Sequence, residues 1–248
     1  MNVRARSAVV GVLLGMALGA PCSSGAADDP VDSQSYLERA LKAGAPFRPE
    51  DVQRARQLVG QMTLAEKAGQ MTQLEIGMIS DGQGLALKVN PEKLRKAVVQ
   101  YGVGSLLNVN DQALPVEQWR EIIRQIQAAA AQTRLKVPVL YGIDTIHGAN
   151  YVAGATLFPQ PLGMAATWNP LLMEQGSRVA AAETRAAGIP WNFSPVLDVL
   201  TDRYSPNIGI RSYGKDPPLV ARYGAARIRG LQAGGVAAWA NHFPGKGH

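Results

Sequence analysis

The chain has 248 residues, 46% hydrophobic and 18% charged, which is enough apolar material for a sizeable core. Its formal charge of +6 is scattered, with no dense Lys/Arg run, and so reads as solvated surface and not as a nucleic-acid footprint. Cys22 is the single cysteine, so the rest of the chain has no disulfide and no cysteine-type metal site.

The N-terminus reads as a targeting signal. Arg4 and Arg6 precede an apolar run from Ala8 to Ala20, and small residues follow around Ser23 to Ala27. That is the order of a secretory signal peptide, and the run is too short to anchor in a bilayer. Cleavage after Ala27 satisfies the small-x-small rule through Gly25 and Ala27 and places the protein outside the cytoplasm, secreted or periplasmic. The alternative is lipid attachment at Cys22, the one route to a membrane, although Pro21 fits it poorly. No later segment is long and apolar enough to be transmembrane. Residues 28–50 read as a polar leader with Pro30, Pro46 and Pro49 and a short helix near Ser35–Ala43.

From residue 51 to 248 the pattern is that of one domain. Asp51–Val59 carries helical spacing. Thr63-Leu64-Ala65-Glu66 is a capping box, opening a helix from Leu64 into Met71. From Tyr101 on, strands and helices alternate. Val103–Val109 predicts a strand and Val116–Thr133 a helix, with Trp119, Ile122, Ile123 and Ile126 at helical spacing. Val137–Ile143 is the near-continuous apolar run of a parallel strand buried on both faces. Asn169-Pro170 caps a helix to about Ala187. Trp191–Val199 is the next strand, Pro217–Ala233 a helix, and Val236–His242 the last strand, after Gly234-Gly235. This alternation means βαβ units and a parallel sheet. About five strands are counted, where a closed (β/α)8 barrel needs eight. The expected fold is α/β, an incomplete (β/α)8 barrel, with open edges that favour association.

In such a barrel chemistry sits at the C-terminal ends of the strands. Val137–Ile143 ends at Asp144, followed by Thr145-Ile146-His147-Gly148. Trp191–Val199 leads into a loop with Asp202, Arg203 and Arg211. Val236–Ala240 ends at Asn241-His242-Phe243-Pro244-Gly245. Apolar strand bodies that deliver carboxylate, guanidinium, amide and imidazole groups suit sugar hydroxyls, which both donate and accept hydrogen bonds.

Five segments resemble glycoside hydrolase family 3, in the family's order: YGIDTIHGAN (Tyr141–Asn150), the helix-bearing stretch Leu157–Ile189, WNFSPVLDV (Trp191–Val199), IGIRSYGKDP (Ile208–Pro217) and ANHFPGKGH (Ala240–His248). The resemblance implies a β-glucosidase-like enzyme that removes β-linked glucose from the non-reducing end with retention, acting on a β-glucoside or oligosaccharide. It assigns Asp144, Arg211, Asn241 and His242 to sugar binding, with Asn241 where the family usually carries Lys. It also places the catalytic nucleophile past His248, so no catalytic residue is expected within these positions. A β-N-acetylhexosaminidase or β-xylosidase of the same family and a non-catalytic sugar binder are the rival readings. The strand end Gly-Ile-Asp-Thr-Ile-His-Gly resembles the glucosidase branch.

Other readings of these residues stand beside the functional ones. Asp144 could cap the loop after its strand, and Arg211 could pair with Asp202 or Asp216. Asp198 reads as structural, satisfied by backbone donors. His147, His242 and His248 show no ligand pair at helix spacing, so neither a metal nor a cofactor is expected. Gly245-Lys246 lacks the remainder of a P-loop. The sequon Asn192-Phe193-Ser194 falls in a strand expected to be buried.

Overall fold

The structure, a computed structural model, describes residues 48–109, 112–201, 207–243 and 245–246. The signal segment with Cys22, the helix expected near Ser35–Ala43, and Asp202, Arg203, Pro244 and His248 lie outside the described residues.

Helix α1 (Pro49–Gln61) begins on Pro49, two residues before the expected start, because a proline suits the first turn, where no N–H is needed. Helix α2 (Leu64–Gln70) opens on the expected capping box. Glu66 N–H donates to Thr63 Oγ1 at 3.2 Å, and Thr63 N–H donates to Glu66 Oε2 at 2.8 Å. Arg134 closes over the same carboxylate at 2.6 Å.

Strand β1 (Gln73–Glu75) follows, then an antiparallel pair of β2 (Ser80–Asp81) and β3 (Lys88–Val89). Helix α3 (Pro91–Leu94), capped by Asn90, runs into a π-helical turn over Arg95–Gln100. No element was legible between Met71 and Tyr101, since β1, β2 and β3 are two or three residues long and α3 passes into the π-turn after four. The remaining elements are β4 (Ser105–Leu107), α4 (Val116–Ala130), β5 (Leu140–Ile143), α5 (Pro161–Ala165), α6 (Pro170–Ala186), β6 (Trp191–Asn192), α7 (Pro217–Ala233) and β7 (Ala237–Ala238).

Strands β1, β4, β5, β6 and β7 form one open parallel sheet in that order. Register runs through Leu74 opposite Leu106, Leu106 opposite Tyr141, Ile143 opposite Asn192, and Asn192 opposite Ala238. The four strands expected over stated ranges are present but shorter than their apolar runs. Val103–Val109 pairs only over Ser105–Leu107, since Asn108 turns left-handed at φ 54°. Val137–Ile143 pairs only from Leu140, after Lys136 at φ 53° and Pro138, which has no N–H to give. Trp191–Val199 and Val236–His242 are regular for two residues each, then continue as extended chain joined by a bridge between Val196 and Asn241. Apolar content marks burial here, whereas the ladder needs free N–H groups in register.

The main core packs α3, its π-turn and α4 against the sheet through Leu94, Val98, Trp119, Ile126, Leu106 and Tyr141. Trp119 meets the Tyr141 ring edge-on at 5.6 Å, and its indole N–H donates to Tyr151 O at 2.8 Å. A second cluster joins α5, α6 and α7 through Met164, Met173 and Tyr223. Helices α6 and α7 approach closely at Gly230, where any Cβ would lie 2.6 Å from that of Ser177. Asn169 and Asp216 cap these two helices, each just ahead of a proline at the first helical position. Among the described residues no helix is long and apolar enough to cross a membrane.

Candidate active site

Parallel strands point their C-terminal ends the same way, so the sheet order sets the ends of β4, β5, β6 and β7 side by side. Asp144 follows β5 directly. Its carboxylate Oδ2 accepts from Asn108 Nδ2 at 2.8 Å, and its own N–H donates to Asn108 Oδ1 at 3.0 Å. Asn108 reaches back in this way because it leaves β4 in the left-handed region, which asparagine tolerates better than most residues. Its main chain is fixed by Gly142 O and the Tyr141 hydroxyl. The carboxamide thus reads one face of Asp144 and leaves the carboxylate half-buried at the strand end.

His242 and Asn241 follow β7. Asn241 stitches β7 to the extension of β6: its N–H donates to Pro195 O at 2.8 Å, its carbonyl accepts from Leu197 N–H, and its side-chain Nδ2 donates to Phe193 O at 3.1 Å. One of the two side-chain N–H donors expected for substrate is therefore engaged with the backbone, and Oδ1 has no hydrogen-bond partner among the described residues.

His242 is held by Asp198. The ring Nδ1 lies 2.8 Å from Asp198 Oδ2, which also accepts the His242 backbone N–H at 3.2 Å, while Oδ1 accepts from Lys246 N–H at 2.8 Å. The reading of Asp198 as satisfied by backbone donors holds for two of these bonds and misses the imidazole. Burial pushes the Asp198 pKa up, but the His242 ring and the two backbone donors together outweigh it and bring the pKa below its ordinary value. Asp198 is 8% exposed at its side chain against 29% for His242, so the imidazole is the partner that faces outward.

Arg211 sits in a 3₁₀ turn, Gly209–Arg211. Its guanidinium makes no hydrogen bond or ion pair among the described residues. The pairing considered with Asp216 is not formed, since Asp216 caps α7 through Leu219 N–H at 3.2 Å. The neighbouring Ser212 donates to Asp198 O at 2.6 Å and so ties the Arg211 loop to the residue that holds His242.

A buried arginine with no role expected from the sequence joins the ends of β5 and β6 at Thr145 and Ser194. Arg227, on α7, is 1% exposed, and its Nε donates to Ser194 Oγ at 2.9 Å and its Nη2 to Thr145 O. Burial lowers its pKa, with the Tyr213 hydroxyl acting in the opposite direction. The signal was present in the helical period, because Val220, Tyr223, Gly224, Arg227 and Leu231 form the buried stripe of α7. Asn192, the sequon residue, is fully buried and donates to Thr145 Oγ1. Among the described residues no group of three or more His, Cys, Asp or Glu gathers as a metal site would require.

Residues 63–248 match the glycosyl hydrolase family 3 N-terminal domain. The chain belongs to glycoside hydrolase family 3. It is 34% identical over 186 residues to a protein of Dictyostelium discoideum named lysosomal beta glucosidase, covering 71% of this chain and 22% of that one. Among solved structures it resembles a family 3 beta-N-acetylglucosaminidase from Paenibacillus sp., at 31% identity and TM-score 0.62, over 74% of this chain and 34% of that one. It also resembles an exo-1,3/1,4-beta-glucanase from a Pseudoalteromonas species, at 30% identity and TM-score 0.66, over 79% and 25%. The chain thus spans about a third or less of the length of these relatives. The N-terminal domain of the family is a (β/α)8-type barrel, and the open sheet of five parallel strands is part of one.

Proposed function

We propose that these residues form the sugar-holding part of an enzyme that hydrolyses terminal non-reducing β-D-glucosyl residues with retention, carried out by a longer polypeptide. The observation that carries this reading is the placement of Asp144 and His242 at C-terminal strand ends of one sheet, each held by its own dedicated partner, Asn108 and Asp198. Asp144 accepts hydrogen bonds from adjacent hydroxyls, and bonds to a carboxylate are roughly twice as strong as neutral ones. Arg211 donates to sugar oxygens from the loop anchored by Ser212, and His242 contributes the ring nitrogen turned away from Asp198. Asn241 supplies its unpaired amide oxygen and second N–H in place of the ammonium usual at that position. A retaining glycosidase needs two carboxyl groups about 5–5.5 Å apart. Asp198 is engaged by His242 and Lys246 and Asp144 is read as a binding residue, so neither is assigned to that pair.

Glucose as the sugar is favoured by the strand end Gly142–Gly148, which resembles the glucosidase branch, and by the names of the Dictyostelium and Pseudoalteromonas relatives. The Paenibacillus relative supplies the rival, an N-acetylglucosaminide. The test is turnover of chromogenic β-glucoside, β-xyloside and β-N-acetylglucosaminide by the full-length protein. Preference for the glucoside is the expected result. Preference for the N-acetyl sugar contradicts it, and sugar binding without turnover supports a non-catalytic binder. The same proposal places the mature protein outside the cytoplasm, beginning at Asp28. A mature N-terminus at a lipidated Cys22, read by mass spectrometry, would place it on a membrane instead.

A further inference from the structure

We propose that Asp198 is a positioning residue that decides which nitrogen of His242 meets the sugar. The inference rests on the sugar-site reading above and adds to it the residue that sets the donor and acceptor pattern of the site. An ionised carboxylate only accepts hydrogen bonds. Asp198 Oδ2 at 2.8 Å from His242 Nδ1 therefore requires the hydrogen on Nδ1, which assigns the tautomer and leaves Nε2 as the ring nitrogen available to a ligand. In the neutral ring Nε2 accepts from a hydroxyl, and in the charged ring it donates to one. The same Oδ2 takes the His242 main-chain N–H at 3.2 Å, so ring and backbone are fixed to one atom and the ring plane cannot turn independently of the chain. Oδ1 takes Lys246 N–H at 2.8 Å, closing the turn from the other side. Asp198 is in turn held through its own carbonyl by Ser212, next to Arg211. The buried carboxylate thus sets the aim of His242, and the main-chain carbonyl of the same residue ties it to the loop that carries Arg211.

A residue that merely holds the turn and one that acts through the imidazole are separated by a double-mutant cycle in the full-length protein, using the chromogenic glycoside turned over fastest. Asp198→Asn keeps the size and one acceptor oxygen but removes the charge that selects the tautomer. In the wild-type background it is expected to lower kcat/KM by about 10- to 100-fold. In the His242→Ala background the same substitution is expected to cost less than about 3-fold, because its object is gone. An equal loss in both backgrounds would overturn the proposal and make Asp198 a structural clamp, as would a wild-type-like Asp198→Asn. Should Asp198→Asn fail to fold, Asp198→Ser, which also removes the carboxylate, enters the cycle in its place, with the same two outcomes. His242→Ala with unchanged kcat/KM would instead sink the sugar-site reading itself.

Discussion

Asn108 is the residue whose replacement reports most directly on how the site is built. Three contributions sit on it: the bond from Nδ2 to Asp144 Oδ2 at 2.8 Å, the bond from Asp144 N–H to Oδ1 at 3.0 Å, and a left-handed backbone at φ 54°. Asn108→Ala removes both bonds and keeps a Cβ in that backbone region. A hydrogen bond to a charged group contributes about 1.5–3 kcal/mol and a neutral one about 1 kcal/mol. Left-handed backbone costs a residue such as Ala roughly 1–2 kcal/mol. Half-burial and solvent access reduce the sum, and a net loss of about 2–4 kcal/mol in stability is expected. Asn108→Gly loses the same bonds without the backbone cost, so it should be more stable than Asn108→Ala by about 1 kcal/mol. Both variants release Asp144, and kcat/KM should fall about tenfold in each despite their different stabilities. The assay is urea unfolding followed by fluorescence, with glycosidase kinetics on the same samples. Equal stability of the two variants would refute the backbone argument, and wild-type kinetics in both would refute the claim that the carboxamide holds Asp144.

Other substitutions test the surroundings. Gly142→Ala places a Cβ 2.7 Å from Phe193 Cε1 and 2.8 Å from Trp191 Cε3, so thermal unfolding should show about 1–3 kcal/mol of overpacking loss, whereas Gly60→Ala, with nothing within 4 Å, should be neutral or stabilising. Tyr213 is 1% exposed, its hydroxyl has no partner among the described residues, and burial pushes its pKa up to about 12, with Arg227 pulling the other way. Tyr213→Phe should therefore change stability by less than about 1 kcal/mol, and a larger loss would reveal an unrecognised partner. The Glu66 carboxyl is brought down to about 2, first by the bond from Arg134 and then by Thr63 N–H. A depressed folded pKa gives stability that is full above the unfolded value of about 4.3 and lost as pH falls through about 2. Arg134→Met should flatten the stability curve between those limits, and an unchanged slope would remove the pair from the account.

Much of this organisation is legible in the residues, and the parts that are not have a common cause. The capping box at Thr63 and the Asn169-Pro170 start were readable because a cap is a local arrangement in which sequence neighbours satisfy each other, whereas Asp216, weighed only as a partner of Arg211, proves to be a cap as well. The strands were readable as positions but not as lengths, because Pro138, Pro195 and the turn at Asn108 stop the ladder inside apolar runs. Asp144 and His242 stood out by ending strands. Their holders Asn108 and Asp198 are 36 and 44 residues away from them, and nothing in local spacing predicts a pair that only the parallel register creates. Arg227 was visible as a charge on the apolar stripe of α7, although its acceptors, Thr145 and Ser194, come from two other strand ends.

The central claim, that the β5 end is the sugar site, is tested most directly by the kinetics of Asp144→Ala in the full-length protein beside Asn241→Ala. Losing a carboxylate that accepts from sugar hydroxyls should cost about 2–4 kcal/mol in transition-state binding, roughly a 30- to 1,000-fold fall in kcat/KM. Asn241→Ala should cost less, since its amide is neutral and one of its two N–H donors is already given to Phe193 O at 3.1 Å. An Asp144→Ala enzyme with kcat/KM within about threefold of wild type would contradict the account and place the site elsewhere.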